Sequence, residues 1–175
     1  MRHPVWVNDL SEEEIVYLNS FVNYELMTKG TIGSTESLKD IRRSRISWLH
    51  DEKLKDFLYE KFQRANREAF GFDISYIVDV QLSEYDSEYE GHYDWHIDVD
   101  WSSQFYYDRK LSMSIQLTDP NDYVGGDLKF RDFSLDAKHQ GAVIIFPSYL
   151  YHQVTPVTEG KRLSLVSWTE GPRWK

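Results

Sequence analysis

The stretch "HYDWHIDVDW" (92–101) contains two His-x-Asp pairs, His92-Asp94 and His96-Asp98. On an extended strand alternate residues point the same way, so one face would carry His, Asp, His, Asp and Asp. Burying such a face without a cation would be costly, so it either faces water or binds a metal ion. His-x-Asp is a short and weak signal, and these residues alone leave both alternatives open.

A third candidate metal ligand follows later in the chain. His152 comes after a buried-type strand and a proline turn in the stretch "GAVIIFPSYLYH" (141–152). Two histidines and one carboxylate form the facial triad of non-haem Fe(II) oxygenases, which leaves positions open for other ligands. Cysteine is absent, so thiolate sites and disulfides are excluded. The residue types do not distinguish iron from manganese or zinc.

Arg162 lies inside the apolar strand "RLSLVSW" (162–168) and shares one strand face with Ser164. A buried guanidinium needs an anionic partner, and its fork matches a carboxylate. One interpretation is a dicarboxylate that binds the metal at one end and Arg162 at the other. The alternative is a structural salt bridge to an acid of the protein.

Two helices and a series of short strands are predicted to position these residues. Ser11 and Glu14 fit a capping box for a helix that ends near Gly30, and a second helix covers 51–70. Strands are predicted at 41–49, 74–84, 92–100, 109–117, 127–133, 141–146, 151–155 and 162–169. Helices followed by strands indicate an α+β fold, and the spacing of the seven strands after residue 72 suggests a sandwich or a jelly roll.

The length of 175 residues suits a single domain. We predict one domain over 1–175, with a helical support region at 1–72 whose helices pack on the major sheet, and a jelly-roll core at 73–172. A net charge of −9 argues against non-specific binding to nucleic acid or anionic membranes, and we predict neither as a partner. The sequence shows no apolar run long enough to span a bilayer and no signal-peptide core, which predicts a soluble, cytoplasmic protein.

Residues 75–172 resemble the prolyl 4-hydroxylase-like branch of the Fe(II)/2-oxoglutarate dioxygenases. The matching features, in the family's order, are Tyr85, Gly91, "YDWHID" (93–98), Gly125-Gly126, "FPS" (146–148), His152, "TPV" (155–157) and "GKR" (160–162). The lead-in "IRRSRISWL" (41–49) and the closing "WTEGP" (168–172) are similar to bacterial and phage members. The resemblance therefore implies a bacterial or phage-infected cell as the setting.

The resemblance implies that His96, Asp98 and His152 bind Fe(II). His92 and Asp94 then become flanking residues with a structural or solvent-exposed role. It also implies that the core is a cupin-like jelly roll (double-stranded β-helix) and that 2-oxoglutarate is the cosubstrate.

Arg162 would fix the far carboxylate of 2-oxoglutarate, with Ser164 as a helper. Tyr85, Tyr93, Ser112 and Gln116 complete the implied cosubstrate pocket. Gln116 stands where many members have a tyrosine.

The implied reaction uses O2 to hydroxylate an unactivated C–H bond, releases succinate and CO2, and draws on ascorbate. A prolyl residue of a peptide or protein is the expected substrate. The acidic stretch "SEYDSEYEGHYD" (83–94) suggests a basic segment, or else a solvated acidic loop, and Trp101, Tyr106 and Tyr107 suggest an aromatic lid.

Three other functions remain open. The same core could act on a free amino acid, a small metabolite or a nucleic acid base. A cupin-type metalloenzyme would not need 2-oxoglutarate, and a non-enzymatic jelly roll would bind a ligand or partner. The sequence does not indicate the oligomeric state.

Overall fold

The computed structural model describes residues 4–30, 41–76 and 78–175. Its two α-helices are α1 (Glu12–Asn19) and α2 (Glu52–Ala65). The strands are β1 (Trp6–Asp9), β2 (Thr28–Lys29), β3 (Arg42–Arg43), β4 (Arg45–Leu49), β5 (Val78–Asp86), β6 (His92–His96), β7 (Tyr107–Gln116), β8 (Tyr123–Gly125), β9 (Leu128–Phe130), β10 (Ala142–Pro147), β11 (His152–Val154) and β12 (Val157–Pro172). None of the helices in these ranges is long and apolar enough to cross a lipid bilayer.

The strands form two sheets that confirm the predicted α+β jelly roll. The large sheet runs β1-β10-β7-β12-β5-β4-β2, with β8 added to the start of β12, and the small sheet runs β3-β6-β11-β9. All pairings between these strands are antiparallel. The predicted strands are present with shifted ends, whereas the short strands β1, β2 and β8 were not predicted.

Side chains on the two faces of the large sheet lie in different surroundings, an apolar core on one face and a cavity on the other. On β7, Leu111, Met113 and Ile115 face the apolar core that is shared with the helices. Leu58 and Phe62 of α2 are fully buried in that core, which confirms that the helices pack on the major sheet. The intervening residues of β7 and β12 point to the opposite face, where they line a cavity.

The predicted first helix is too long. The capping box between Ser11 and Glu14 is present, but α1 ends at Asn19 and a short 3-10 helix follows at Tyr24–Leu26. Asn23 begins that turn by accepting a hydrogen bond from the backbone of Glu25. The chain then pairs with β4 as β2, so strand pairing overrides the apolar spacing. The second helix is confirmed: α2 continues into a π-helical turn at Asn66–Phe70, which ends at Gly71 with a positive φ of 71°.

The predicted strand at 41–49 is divided between the sheets. Arg42 pairs with Tyr93 of the small sheet, whereas Ile46 pairs with Ser83 of the large one. Buried Ser44 lies between the two pieces. Residues 1–72 therefore contribute strands as well as helices, and the predicted division of the domain at residue 72 stays a prediction.

Candidate metal centre and cosubstrate pocket

A β-bulge in β6 decides which side chains meet at the site. Tyr93 pairs with Val154 and His96 pairs with His152, so two residues of β6 oppose one residue of β11. Tyr93 and His96 therefore point to the same side, where the rings stack with centroids 3.5 Å apart. The predicted regular strand over 92–100 is wrong, because β6 bulges and then ends at His96.

His96, Asp98 and His152 come together as a group able to hold a metal ion. One ligand atom from each lies within 4.8 Å of the others. The carboxylate of Asp98 lies 3.8 Å from Nε2 of His96 and 3.6 Å from Nε2 of His152. No second group of three such side chains is found in the part of the chain that the structure describes.

Backbone carbonyls orient both imidazoles. Nδ1 of His96 lies 2.7 Å from the carbonyl of Asp94, and Nδ1 of His152 lies 2.9 Å from that of Leu150. A carbonyl can only accept, so each Nδ1 carries the proton and each Nε2 offers its lone pair to the site. The backbone carbonyl of Asp94 thus helps to orient His96.

Electrostatics favours the ligand forms of these groups. The pKa of His96 is lowered to about 4, mainly by burial, and electrostatic coupling to the neighbouring His152 adds to the effect. Burial opposes ionisation of Asp98, but His152, His96 and Arg109 outweigh it and hold the pKa of that carboxyl below its usual value. The neutral imidazole and the ionised carboxylate are the forms that bind a metal ion.

Two buried serines fix the Asp98 carboxylate. Ser112 donates a hydrogen bond of 2.6 Å to Oδ2 of Asp98, and its hydroxyl lies 2.9 Å from that of Ser148. The backbone carbonyl of Ser148 also accepts from the amide of Asp98 at 2.9 Å. Ser112 therefore bonds to Asp98, and its role as a cosubstrate ligand stays a prediction. In the sequence, Ser148 stood out only as the last residue of the "FPS" stretch (146–148).

A cavity of about 300 Å³ extends from the three ligands to Arg162. Arg162, Ser164, Val166 and Trp168 of β12 all line it, as their alternation predicts. Tyr85 lines the wall beside Arg162, with the guanidinium carbon 5.5 Å from the centre of its ring.

Arg162 is 1% exposed, and its hydrogen bonds go to neutral groups. Nε and Nη2 donate to Oε1 of Gln116 at 3.1 and 2.8 Å, and Nη1 lies 3.4 Å from the hydroxyl of Ser164. No acid among the described residues forms an ion pair with it, which rules out a salt bridge to any of them. A buried cation without an acid is an anion-binding group.

Arg42 and Arg109 also line the cavity, although the sequence analysis did not single them out. Lys110 is an extra residue of β7 opposite β12, and this second bulge turns Arg109 towards the cavity. The guanidinium carbon of Arg109 lies 4.1 Å from the ring centre of Trp168. No signal in the sequence alone marks these bulges.

The acidic loop is less available than predicted. Glu84 is 0% exposed and pairs with Arg45 and Lys161, and Asp86 is also buried beside Lys161. These two acids therefore cannot form a rim for a substrate. The aromatic residues Trp101, Tyr106 and Tyr107 are exposed, and their role as a lid stays a prediction.

Residues 80–170 match the 2OG-Fe(II) oxygenase superfamily. The chain belongs to this superfamily. The predicted membership of a family of 2-oxoglutarate-dependent oxygenases is thereby confirmed.

Curated relatives of this oxygenase share one short region with it. A PKHD-type hydroxylase of Nitrobacter winogradskyi is 42% identical over 66 residues, which are 34% of this chain and 28% of the relative. PKHD-type hydroxylase IL0759 of Idiomarina loihiensis is 33% identical over 63 residues, or 34% of this chain and 29% of the relative. The similarity therefore spans less than a third of the length of either relative.

Solved structures with a similar fold include two prolyl hydroxylases. The viral collagen prolyl hydroxylase of Paramecium Bursaria Chlorella virus-1, in its 2OG complex, has a TM-score of 0.72 at 19% identity and covers 97% of both chains. A Pseudomonas putida prolyl-4-hydroxylase has a TM-score of 0.71 at 17% identity, over 98% of this chain and 94% of that one. At such identities the likeness shows the fold alone.

The side chains of this oxygenase fit the two groups that its superfamily implies. Two neutral imidazoles and one carboxylate suit Fe(II). The buried guanidinium of Arg162 suits the far carboxylate of 2-oxoglutarate because its present acceptors, Gln116 and Ser164, leave its charge unbalanced.

Proposed function

We propose that this protein is a Fe(II)- and 2-oxoglutarate-dependent dioxygenase that hydroxylates an unactivated C–H bond of a prolyl residue in a peptide or protein. His96, Asp98 and His152 are the proposed iron ligands. Arg162 is the proposed anchor of the cosubstrate. The observation that carries the proposal is the buried Arg162, which has no acidic partner among the described residues and lines the same cavity as the two histidines and the carboxylate.

When bound, iron with 2-oxoglutarate and O2 supplies the oxidising chemistry, with succinate and CO2 as co-products and ascorbate as a reductant. The chain's own residues position these reactants. The protonated Nδ1 atoms hold both imidazoles by their carbonyl bonds, so Nε2 faces the metal position. Gln116 orients the fork of Arg162 through two hydrogen bonds to one oxygen.

Hydroxyl groups around Arg162 complete the cosubstrate end of the cavity. Ser164 lies beside one guanidinium nitrogen, and Tyr85 lies against the same group. Burial raises the pKa of Tyr93 to about 12, so its phenol keeps its proton at neutral pH. Tyr93 can therefore donate to a carboxylate oxygen of the cosubstrate, and the hydroxyl of Tyr85 offers a second hydrogen-bond donor. No side chain is needed as a nucleophile or general base.

The proposal is tested without knowledge of the substrate. Fe(II) and then 2-oxoglutarate are added to the protein without O2, and visible absorption is recorded. A keto acid that chelates Fe(II) gives a weak charge-transfer band, which we expect in the unmodified protein. We expect the band to vanish in His96→Ala and to weaken in Arg162→Ala. Folded protein that binds Fe(II) but gives no band would support a cupin-type enzyme instead, and failure to bind metal would support a binding protein.

The prolyl substrate is supported by the prolyl hydroxylases among the structures of similar fold. Its test is incubation of the loaded protein with proline-containing peptides and mass spectrometry of the products. A gain of one oxygen on proline is the expected result. Succinate formation with other compounds, but with no prolyl peptide, would place the substrate among free amino acids or other metabolites.

A further inference from the structure

The cavity has the opposite charge to the protein around it. The chain carries a net charge of −9. Nevertheless, the residues that line the cavity include three arginines, Arg42, Arg109 and Arg162, and one carboxylate, Asp98. Charged side chains are expensive to hold at a partly enclosed site unless an opposite charge accompanies them.

The proposed iron and 2-oxoglutarate do not neutralise all of this positive charge. The charges of Fe(II), Asp98, 2-oxoglutarate as a dianion, and Arg162 cancel one another. Arg109 has an acid nearby, since its Nη2 lies 3.8 Å from the carboxylate of Asp79. Among the described residues, no acid forms an ion pair that compensates the charge of Arg42.

Neutral groups hold Arg42 in one position at the cavity wall. Its Nε donates to the hydroxyl of Ser44 and its Nη2 to Oε1 of Gln81, both at 2.8 Å. The guanidinium carbon lies 4.7 Å from the ring centre of Tyr93, the same ring that stacks on His96. A guanidinium has five N–H donors, so two hydrogen bonds leave three for a ligand.

Three acids of the stretch 83–94 are paired with cations other than Arg42. Glu84 and Asp86 bind Lys161, and Glu90 lies 3.2 Å from Arg43. Within the described ranges, no acid forms an ion pair with Arg42. A fixed guanidinium with free donors, open to a cavity and without an acid, has the features of a carboxylate-binding group.

We propose that the substrate carries a carboxylate that binds Arg42. Either an acidic residue beside the target proline or the α-carboxylate of a free amino acid would supply it. This inference rests on the proposed oxygenase function, and it gives the substrate the opposite charge to the basic segment that the acidic loop suggested. Arg42 is thus a specificity-determining residue.

The test uses peptides that contain one proline and differ only in its neighbour, which is glutamate, glutamine or lysine. Free L-proline and L-prolinamide form a second matched pair. Each compound is titrated without O2 into protein loaded with Fe(II) and 2-oxoglutarate, and the change in the charge-transfer band gives Kd. We expect Kd to be about 10- to 100-fold lower for the compound with the carboxylate, in at least one of the two sets. The set that shows this dependence identifies the source of the carboxylate.

Three variants assign the effect to Arg42. Arg42→Gln should abolish the preference for the carboxylate, and Arg42→Lys should retain part of it. Arg43→Gln, at the adjacent position, is the matched control and should keep the full preference. The band formed with 2-oxoglutarate alone shows that each variant is folded and loaded.

Several outcomes would overturn the inference. One is an equal or tighter Kd for the neutral or basic compounds, or no binding by any compound, while the cosubstrate band forms normally. Another is a carboxylate preference that persists in Arg42→Gln. Absence of the cosubstrate band would contradict the proposed function itself, so the two failures are distinguishable.

Discussion

The ring of Tyr93 lies nearly parallel to the imidazole of His96, at an interplanar angle of 10° and a centroid distance of 3.5 Å. The contact exists because the bulge in β6 places both side chains on one side of the strand. The guanidinium of Arg42 also lies against the ring of Tyr93. A single aromatic ring therefore links the proposed metal centre to the proposed substrate-binding arginine.

Removal of this ring should weaken metal binding. We expect Tyr93→Leu to lower the affinity for Fe(II), or for Mn(II) as a probe, by about 10-fold, because the imidazole loses the surface that fixes its plane. Tyr93→Phe keeps the ring and should bind metal normally. Calorimetric titration measures both. Equal losses in the two variants would assign the effect to the hydroxyl rather than to stacking.

Loss of the serine pair should weaken metal binding through Asp98. Ser148 is 0% exposed and its hydroxyl lies 2.9 Å from that of Ser112, which holds the carboxylate. We expect Ser148→Ala to lower metal affinity by about 10-fold, because Ser112 can then rotate away from Asp98. The exposed Ser134 offers a control, since Ser134→Ala should not change the titration. An unchanged affinity in Ser148→Ala would show that Ser112 needs no support.

An acid introduced beside Arg162 should compete with the cosubstrate. Gln116→Glu replaces the amide oxygen that accepts two bonds from Arg162 by a carboxylate of almost the same shape. We expect the affinity for 2-oxoglutarate to fall by about 10-fold or more, because the guanidinium gains an internal partner. Metal affinity should be retained, and thermal unfolding should show a folded protein. Normal 2-oxoglutarate binding would contradict Arg162 as the anchor.

A methyl group at Gly126 should displace Arg162. A Cβ there would lie 2.9 Å from Cδ of Arg162 and 3.0 Å from Cγ2 of Val157. We expect Gly126→Ala to weaken 2-oxoglutarate binding by about 10-fold while metal binding persists.

Gly71 provides the matched control for that variant. It has a similar positive φ, +71° against +62° at Gly126, but a Cβ at Gly71 would meet nothing within 4 Å. Both substitutions strain the backbone by about 1–2 kcal/mol. If Gly71→Ala weakened 2-oxoglutarate binding as much, general destabilisation and not the contact with Arg162 would be the cause.

The stability of the metal-free protein should depend on His96 below neutral pH. Burial and His152 lower the pKa of His96 from 6.5 to about 4 in the folded state. The unfolded chain thus binds this proton at a higher pH, so the stability from neutral His96 is complete above pH 6.5 and is lost as the pH falls towards 4. We expect the Tm of chelator-treated protein to fall across this range, and less steeply in His96→Gln. Parallel curves for the two proteins would contradict the lowered pKa.

Periodicity in the sequence predicted much of the large sheet. The alternation of β12 correctly placed Arg162 and Ser164 on one face, and the apolar residues of β7 are on the opposite face to its serines. Regular strands obey a two-residue period that can be read without a structure. The meeting of His96, Asp98 and His152 followed from a family pattern, and their role as iron ligands stays a prediction.

Departures from that period could not be predicted. The bulge that brings Tyr93 to His96 and the bulge that turns Arg109 to Trp168 each depend on the partner strand. Likewise, the division at Ser44 depends on two sheets competing for one segment. Such features arise because strands distant in sequence pair with one another, so the propensities of the local residues do not predict them.

Strand β12 places its cavity-lining side chains at regular intervals. Every second side chain lines the cavity, and successive ones are about 6.6–6.8 Å apart along the strand: Arg162, Ser164, Val166 and Trp168. A substitution at Trp168 can therefore change the cavity lining at that position while Arg162 stays in place. An insertion or deletion of one residue between Arg162 and Trp168 would turn the side chains on one side of the change towards the helices. A chain built in this way can diversify its substrate by exchanging side chains along the strand, but not by changing the strand's length by a single residue.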